Sequence, residues 1–555
     1  MSERPRELWT RRRFLAGTAL TGTGVALAGS SLLDSAAAEA AWVMLAAPPE
    51  EDGYELWLRY RLLVDRPDLL SSYRQTLTHV VAPPAGGTAV ERSAVRELRR
   101  GLTGILGRPV PQTTAPDGDG ALILGTPESS PLVAAHADAA ELRQLGPEGF
   151  VLRRSTVNGA AAVLLASEGA RGVLYGAFHL LRLLQTYRRI DRLDVAERPA
   201  NPLRLVNHWD NLDRSVERGY AGSSIFAWDD LPNLDPRYTD YARALASVGI
   251  NGTVVNNVNA NAAFLASERL PGLAALAGVF REWGVTFHLS ANYASPIVLT
   301  RDDAEPIETA DPFDPRVQAW WRDKVDEIYA LIPDFGGFLV KANSEGQPGP
   351  LDYGRTHADG ADMLAELVAP YDGIIMWRSF VHEGFGDWAE YQHRAFAPLD
   401  GDFAANVAVQ TKNGPIDFQV REPVNPLFGA LPQTNQMIEL QITQEYTGHS
   451  THLCYLVPQW KEVLDFDTHT QGTGPTVASI VDGSAYGQTM VGFAGVVNFG
   501  DERNWTGHHL AAANTHGYAR LAWNPALGAD EIAEEWVRMT FGSGAQVVET
   551  LRGRP

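Results

Sequence analysis

Cysteine is nearly missing from this 555-residue chain: Cys454 is the only one. A lone thiol excludes an intramolecular disulfide and any cysteine-built zinc site. Its apolar setting, HLCYLV, makes it a small buried hydrophobe. Positive charge is also short, with 46 Lys and Arg against 67 Asp and Glu and a formal net charge of −21. Such a balance repels phosphate backbones and anionic lipid, so no nucleic-acid partner is expected. A few local cations still suffice to invert the potential inside one pocket. No GxGxxG follows a strand-like run and no Walker loop occurs. The pairs His449/His452 and His508/His509 come without a third ligand at a recognisable spacing. No nucleotide, metal or other cofactor is therefore expected. Internal repeats and long low-complexity tracts are absent as well, and the length exceeds that of one ordinary domain.

The first forty residues read as a targeting segment. Thr10-Arg11-Arg12-Arg13-Phe14-Leu15 precedes a mildly apolar run, and Ala36, Ala37, Ala38 and Ala40 offer cleavage sites. This resembles a twin-arginine export signal, so an extracellular or cell-envelope location is expected. The run is short and polar for a membrane span, an uncleaved N-terminal membrane anchor is the competing reading, and no stable insertion is expected after removal of the segment. Such cargo folds before export, which suits a chain without disulfides.

Residues 43–199 read as an α/β module. ALILGTPES, FVLRRS and AAVLLASE have the look of short strands, while SAVRELRRGLTGIL and VLYGAFHLLRLLQTY carry apolar residues at helical spacing. The proline-bearing ERPANPLR then breaks the pattern. Across residues 200–500 eight apolar runs recur: LRLVNHWDN, INGTVVNNVNAN, VTFHLSANY, FGGFLVKANS, GIIMWRSFV, NVAVQTKNG, MIELQITQEY and FAGVVNFGD. Helical patterns separate many of them. The clearest has Val317, Trp320, Trp321, Val325, Ile328 and Tyr329 on one face, which makes its tryptophans core residues. Eight strand-to-helix units of this size predict a (β/α)8 barrel, an α/β fold. Residues 501–555 read as the start of a further helical region.

Active sites of such barrels lie at the C-terminal ends of the strands. Three runs each deliver a carboxylate just past that end: Glu345 in GGFLVKANSEGQPGP, Asp417 in NVAVQTKNGPIDF and Glu445 in MIELQITQEY. Acid and base groups converging at one end of a barrel are what hydrolysis of a glycosidic bond requires. Each carboxylate, taken alone, is equally a solvated loop charge.

NHWDNLDRSVERGYAG (207–222), VNNVNA (255–260), FLVKANSEGQPGP, MWRSFV, QTKNGPIDFQVREP and QITQEYTG, long and collinear, together resemble glycoside hydrolase family 67, the α-glucuronidases. The resemblance implies an inverting hydrolase that removes (4-O-methyl)-D-glucuronic acid linked α-1,2 to the terminal xylose of xylo-oligosaccharides. It implies Glu345 as the general acid and Asp417 with Glu445 as the pair activating water, without choosing the principal base. It further implies that Lys341, Arg378 and Lys412 bind the sugar carboxylate and that Trp209 packs near the glucuronate. Asn256, Asn257 and Asn259 are candidates for sugar hydroxyls, with turn and strand-end capping as the competing role. Family members carry a large helical C-terminal domain with dimer contacts. Here that domain is expected to be truncated, which puts the homodimer in question. A retaining, hexosaminidase-like glycosidase and an inactive oligosaccharide-binding protein remain the rival readings.

Overall fold

All eight predicted runs become strands of one closed, wholly parallel barrel. The structure, a computed structural model, describes residues 51–84, 86–380 and 387–552. The expected targeting segment, residues 1–40, lies outside the described residues.

The N-terminal module is built on a six-stranded sheet of β1 (His79–Val81), β2 (Gln112–Thr113), β3 (Ala121–Gly125), β4 (Phe150–Val157), β5 (Ala160–Ala166) and β6 (Asp194–Glu197), in the order β2-β1-β3-β5-β4-β6. The sheet is mixed: β1, β2, β3 and β5 run parallel, while β4 pairs antiparallel with β5 and β6. Asn158 and Gly159, both at positive φ, form the two-residue turn that lets β4 fold back onto β5. The two expected helices form as Ala89–Leu106 and Ala170–Gln185 and bury their apolar faces in the core. A Thr88/Glu91 capping box satisfies the first turn of the former.

The barrel strands are β7 (Leu203–His208), β8 (Gly252–Val254), β9 (Thr286–Ala291), β10 (Gly337–Val340), β11 (Ile374–Arg378), β12 (Val407–Lys412), β13 (Asn435–Gln441) and β14 (Gly492–Val497). They close when β14 pairs with β7. Buried on both faces, they read as near-continuous apolar runs. Leu205, Val254, Leu339, Met376, Ala408, Met437 and Ala494 fill the interior, with Trp209 and Phe418 in the same cluster. The barrel is therefore a packed core, and chemistry is confined to its rim. Outside it, Asp314 and Pro315 start the helix Pro315–Leu331, which buries Val317, Trp321, Val325, Ile328 and Tyr329; Trp320 stays half-buried, edge-on to Trp321.

The N-terminal module covers the end where the strands begin. There Arg204, near the start of β7, donates to Glu148 at 2.5 Å, and Asn251, just before β8, donates to the same carboxylate. Nearby, Arg243 grips Glu97 of the helix Ala89–Leu106 through two 2.8 Å hydrogen bonds. Past residue 500 the helix Ala512–Trp523 is buried along its whole length, and Tyr518 donates to the carbonyl of Leu205 on β7 at 2.6 Å. The expected boundary at 500 thus divides in sequence what the fold packs together. Helices Ala529–Phe541 and Ala545–Arg552 follow.

Candidate active site

Three neighbouring strands each end in a cation. Lys341 follows β10, Arg378 closes β11 and Lys412 closes β12. Register pairs Val340 with Trp377 and Arg378 with Gln410, so the three side chains rise side by side at the barrel mouth. All three are buried. They surround one aromatic ring: Phe380 has Lys412 Nζ at 3.4 Å from its centroid, the Arg378 guanidinium at 4.9 Å and Lys341 Nζ at 5.2 Å. The negative face of a π-system offsets part of the cost of desolvating such cations. Phe380 lies in the quoted motif MWRSFV, but nothing in that string says that three cations share its ring.

Each cation also meets a carboxylate. Lys341 Nζ contacts Glu345 and donates to Asn259 Oδ1 at 2.8 Å. Lys412 Nζ lies 2.8 Å from Asp417 Oδ1. Arg378, expected to bind the sugar carboxylate, already has one edge of its guanidinium engaged. Its Nε and Nη2 hold Glu439 on β13 at 2.8 Å each, with both side chains buried. Of its five N–H groups, two on Nη1 and one on Nη2 remain on the other edge to face a ligand. Glu439 went unrecognised because it sits inside the apolar run MIELQ, where an inward-facing polar residue gives no local signal.

The second pair of acids is joined across two loops. Asp417 receives a hydrogen bond from Tyr446, the residue after Glu445, and its backbone N–H donates to Glu422. Glu445 accepts from Arg218 Nε at 2.5 Å and from Gln441 Nε2 at 2.8 Å. Glu345 stands apart in conformation. It and Asn343 have φ of +52° and +49°, in a loop pinned by hydrogen bonds from Asn343 to Asp352 and from Leu351 N–H to Asn343 Oδ1. Asp417 and Glu445 are mostly buried, whereas the Glu345 side chain is 48% exposed.

Trp209 follows β7 and joins the interior cluster, with Arg378 5.7 Å from its ring; it is core and pocket wall at once. The asparagines divide. Asn256 is fully buried, its amide donating to the Ser290 carbonyl and accepting from Ser290 N–H, so it laces β8 to β9 instead of facing a sugar. Asn257 donates to Asn211 and Glu217 and accepts from Asn259 N–H, again scaffold. Asn259 reaches the site, bridging Glu217 and Lys341.

The charges press on one another. Burial and the neighbouring Arg378 charge lower the pKa of Lys341 despite the opposing pull of Glu345. The same two causes bring Lys412 down to about 8. Burial favours the neutral form of Glu345, but the Lys341 hydrogen bond and the charges of Lys341, Lys412 and Arg378 outweigh it and hold the carboxyl below its ordinary range. Asp417 is depressed likewise, burial being overcome by Lys412, Tyr446 and Arg378. The site as it stands is a cation-lined pocket with ionised acids at its edge, suited to an anionic ligand carrying an acid-labile bond.

Comparison with known proteins gives this geometry a lineage. Residues 183–505 match the middle domain of glycosyl hydrolase family 67, residues 56–180 its N-terminus and residues 506–553 its C-terminus. Alpha-glucuronidase A of Emericella nidulans is 43% identical over 521 residues, covering 90% of this chain and 60% of the relative. Alpha-glucuronidase A of Aspergillus tubingensis is 41% identical over 525 residues, covering 92% and 60%. The chain thus spans about 60% of the length of these curated relatives. A solved family GH115 4-O-methyl-alpha-glucuronidase with specificity for decorated arabinogalactans shares the fold, with a TM-score of 0.51 at 13% identity over 84% of this chain and 59% of that one. Three consecutive family domains, matched in order along the described residues, decide the assignment: the chain belongs to glycoside hydrolase family 67.

Proposed function

We propose that the protein is an inverting α-glucuronidase, releasing (4-O-methyl)-D-glucuronic acid from an α-1,2 linkage to the terminal xylose of xylo-oligosaccharides. The observation that carries this reading is the trio Lys341, Arg378 and Lys412 around Phe380, buried cations in a strongly acidic chain, with three carboxylates beside them. A uronate is the ligand such a pocket favours, and the relatives named alpha-glucuronidase A support the choice. In the reaction Glu345 gives its proton to the leaving xylose oxygen. Asp417 and Glu445 hold a water on the opposite face of the sugar and take its proton as it attacks the anomeric carbon. Configuration inverts. Asp417, held by Lys412 and Tyr446, and Glu445, held by Arg218 and Gln441, act as a pair.

Incubation with aldouronic oligosaccharides under proton NMR tests this. The β-anomer of glucuronic acid should appear first; the α-anomer would convert the reading to a retaining enzyme, and no release would favour a binding protein. Glu345→Ala should lose far more activity on natural oligosaccharides than on a substrate with an activated leaving group, whereas Asp417→Ala and Glu445→Ala should impair both. We further propose export by the twin-arginine route, tested by whether Arg12→Lys/Arg13→Lys keeps the protein inside an expressing bacterium.

A further inference from the structure

We propose that Lys341 couples uronate recognition to the arming of the general acid: the sugar carboxylate displaces Glu345 from the buried ammonium, and the glutamate, its ion pair broken, takes up the proton later delivered to the leaving oxygen. The inference rests on the uronate reading above and deepens it.

A general acid must carry a proton when the bond breaks, yet in this site Glu345 is an ion-pair partner of Lys341. The three mouth cations differ in how firmly each is committed. Arg378 is locked to a buried carboxylate by a two-pronged contact. Lys412 faces Asp417, which Tyr446 also holds. Lys341 faces a glutamate that stands half exposed on a loop of its own, while its own ammonium is buried and tied to Asn259. Of the three pairs, this one has a fixed cation and an accessible anion, so an incoming carboxylate competes there at least cost.

Every charge acting on Glu345 moves the same way when a uronate binds. Lys341, Lys412 and Arg378 are the charges that hold it ionised, and one carboxylate placed among them weakens the combined field they exert on it. Among the described groups around them, Glu217 faces Lys341, Asp417 and Glu439 face Arg378, Asn259 is uncharged, and the further cation Arg218 is committed to Glu445. The sugar also excludes water from the half-exposed carboxyl, which favours its neutral form. Protons balance simply. Solvent supplies one on binding, Glu345 passes it to the leaving oxygen, and the proton taken from the attacking water is returned to solvent. A neutral hexose in the same pocket would leave Lys341 on Glu345 and the acid unloaded, so discrimination operates on the chemical step as well as on binding.

Calorimetric titration of the whole chain with glucuronic acid near pH 6, in buffers of different ionisation enthalpy, reads the protons taken up per sugar bound. Uptake approaching one proton is expected for the parent. Glu345→Gln should still bind, as tightly or more so because Lys341 is released, and its uptake should fall to near zero. Binding by the parent without uptake, or unchanged uptake in Glu345→Gln, overturns the coupling while leaving the uronate reading in place. Failure of the parent to bind glucuronic acid at all overturns both.

Discussion

The two ends of the barrel use the same residue types to opposite effect. At the covered end, arginine meets carboxylate directly: Arg204 with Glu148, Arg243 with Glu97. Burial works against both guanidinium charges, yet the facing carboxylates more than reverse it, and both pKa values are raised. At the mouth, cations crowd together, and both lysines are lowered by burial and by Arg378. The first arrangement is electrostatically complete and holds the N-terminal module in place. In the second each cation also has a carboxylate, yet the cations lie close enough to oppose one another. A buried ion pair is weak evidence for stability in itself, but breaking one leaves an uncompensated charge. The covered end should therefore respond to mutation in stability, and the mouth in ligand affinity.

Arg378→Met is the largest challenge to that division, because Arg378 belongs to the mouth but is paired in the manner of the covered end. Loss of its fork strands buried Glu439, so stability in urea should fall by about 3–5 kcal/mol and glucuronic acid should bind at least tenfold more weakly. Adding Glu439→Gln should restore much of the stability and none of the affinity. Recovery of both would make Arg378 purely structural.

Glu97→Ala should cost about 3 kcal/mol, at the lower end for a broken buried pair because Glu55 lies 3.7 Å from Arg243 and compensates in part. The kcat/KM per folded molecule should stay at the parent value. A drop there, with substrate turnover measured well below the melting temperature, would mean that the covered end reaches the mouth.

Lys412 separates the two responses by pH. Its pKa of about 8 in the fold lies below the roughly 10.4 of an unfolded lysine, so between those values the unfolded chain binds more protons. Its contribution to stability therefore improves as pH rises through that window, while below it the cost of burying the charged form is felt in full. Affinity should move the other way, weakening above pH 8 as the ammonium is lost. Titrations with glucuronic acid from pH 6.5 to 9.5 should show that decline in the parent, and Lys412→Met should lose the part of it that sets in near pH 8 while keeping any slope due to proton uptake at Glu345.

The smallest effect is expected for Tyr446→Phe, which removes one hydrogen bond from Asp417, worth about 1.5–3 kcal/mol to a charged acceptor. A fall in kcat of about tenfold with unchanged KM would place the hydroxyl in the positioning of the water-activating pair. No change in either would leave Tyr446 a wall residue.

What could be read from the sequence follows the physics of each part. Eight parallel strands buried on both faces leave apolar runs too consistent to miss, and the catalytic candidates sit next to those runs in the chain. The short β1, β2 and β6 carry too few residues for a period to show. Partners distant in sequence were invisible: Arg218 reaches Glu445 across 227 positions and Glu439 reaches Arg378 across 61. Asn256 misled because a polar residue at a strand end looks the same whether it faces a ligand or laces two strands, and only the Ser290 hydrogen bonds distinguish them.

The left-handed backbone at Glu345 has a bearing on how this protein would be engineered. A side chain with a β-carbon is disfavoured at φ +52°, by roughly 1 kcal/mol, and glycine is relieved of that penalty. A search for thermostable variants guided by melting temperature alone would then rank Glu345→Gly above Glu345→Ala, and so select against the proposed proton donor. Melting curves of the two variants, run beside an activity assay, would reveal that conflict between robustness and turnover at a single position.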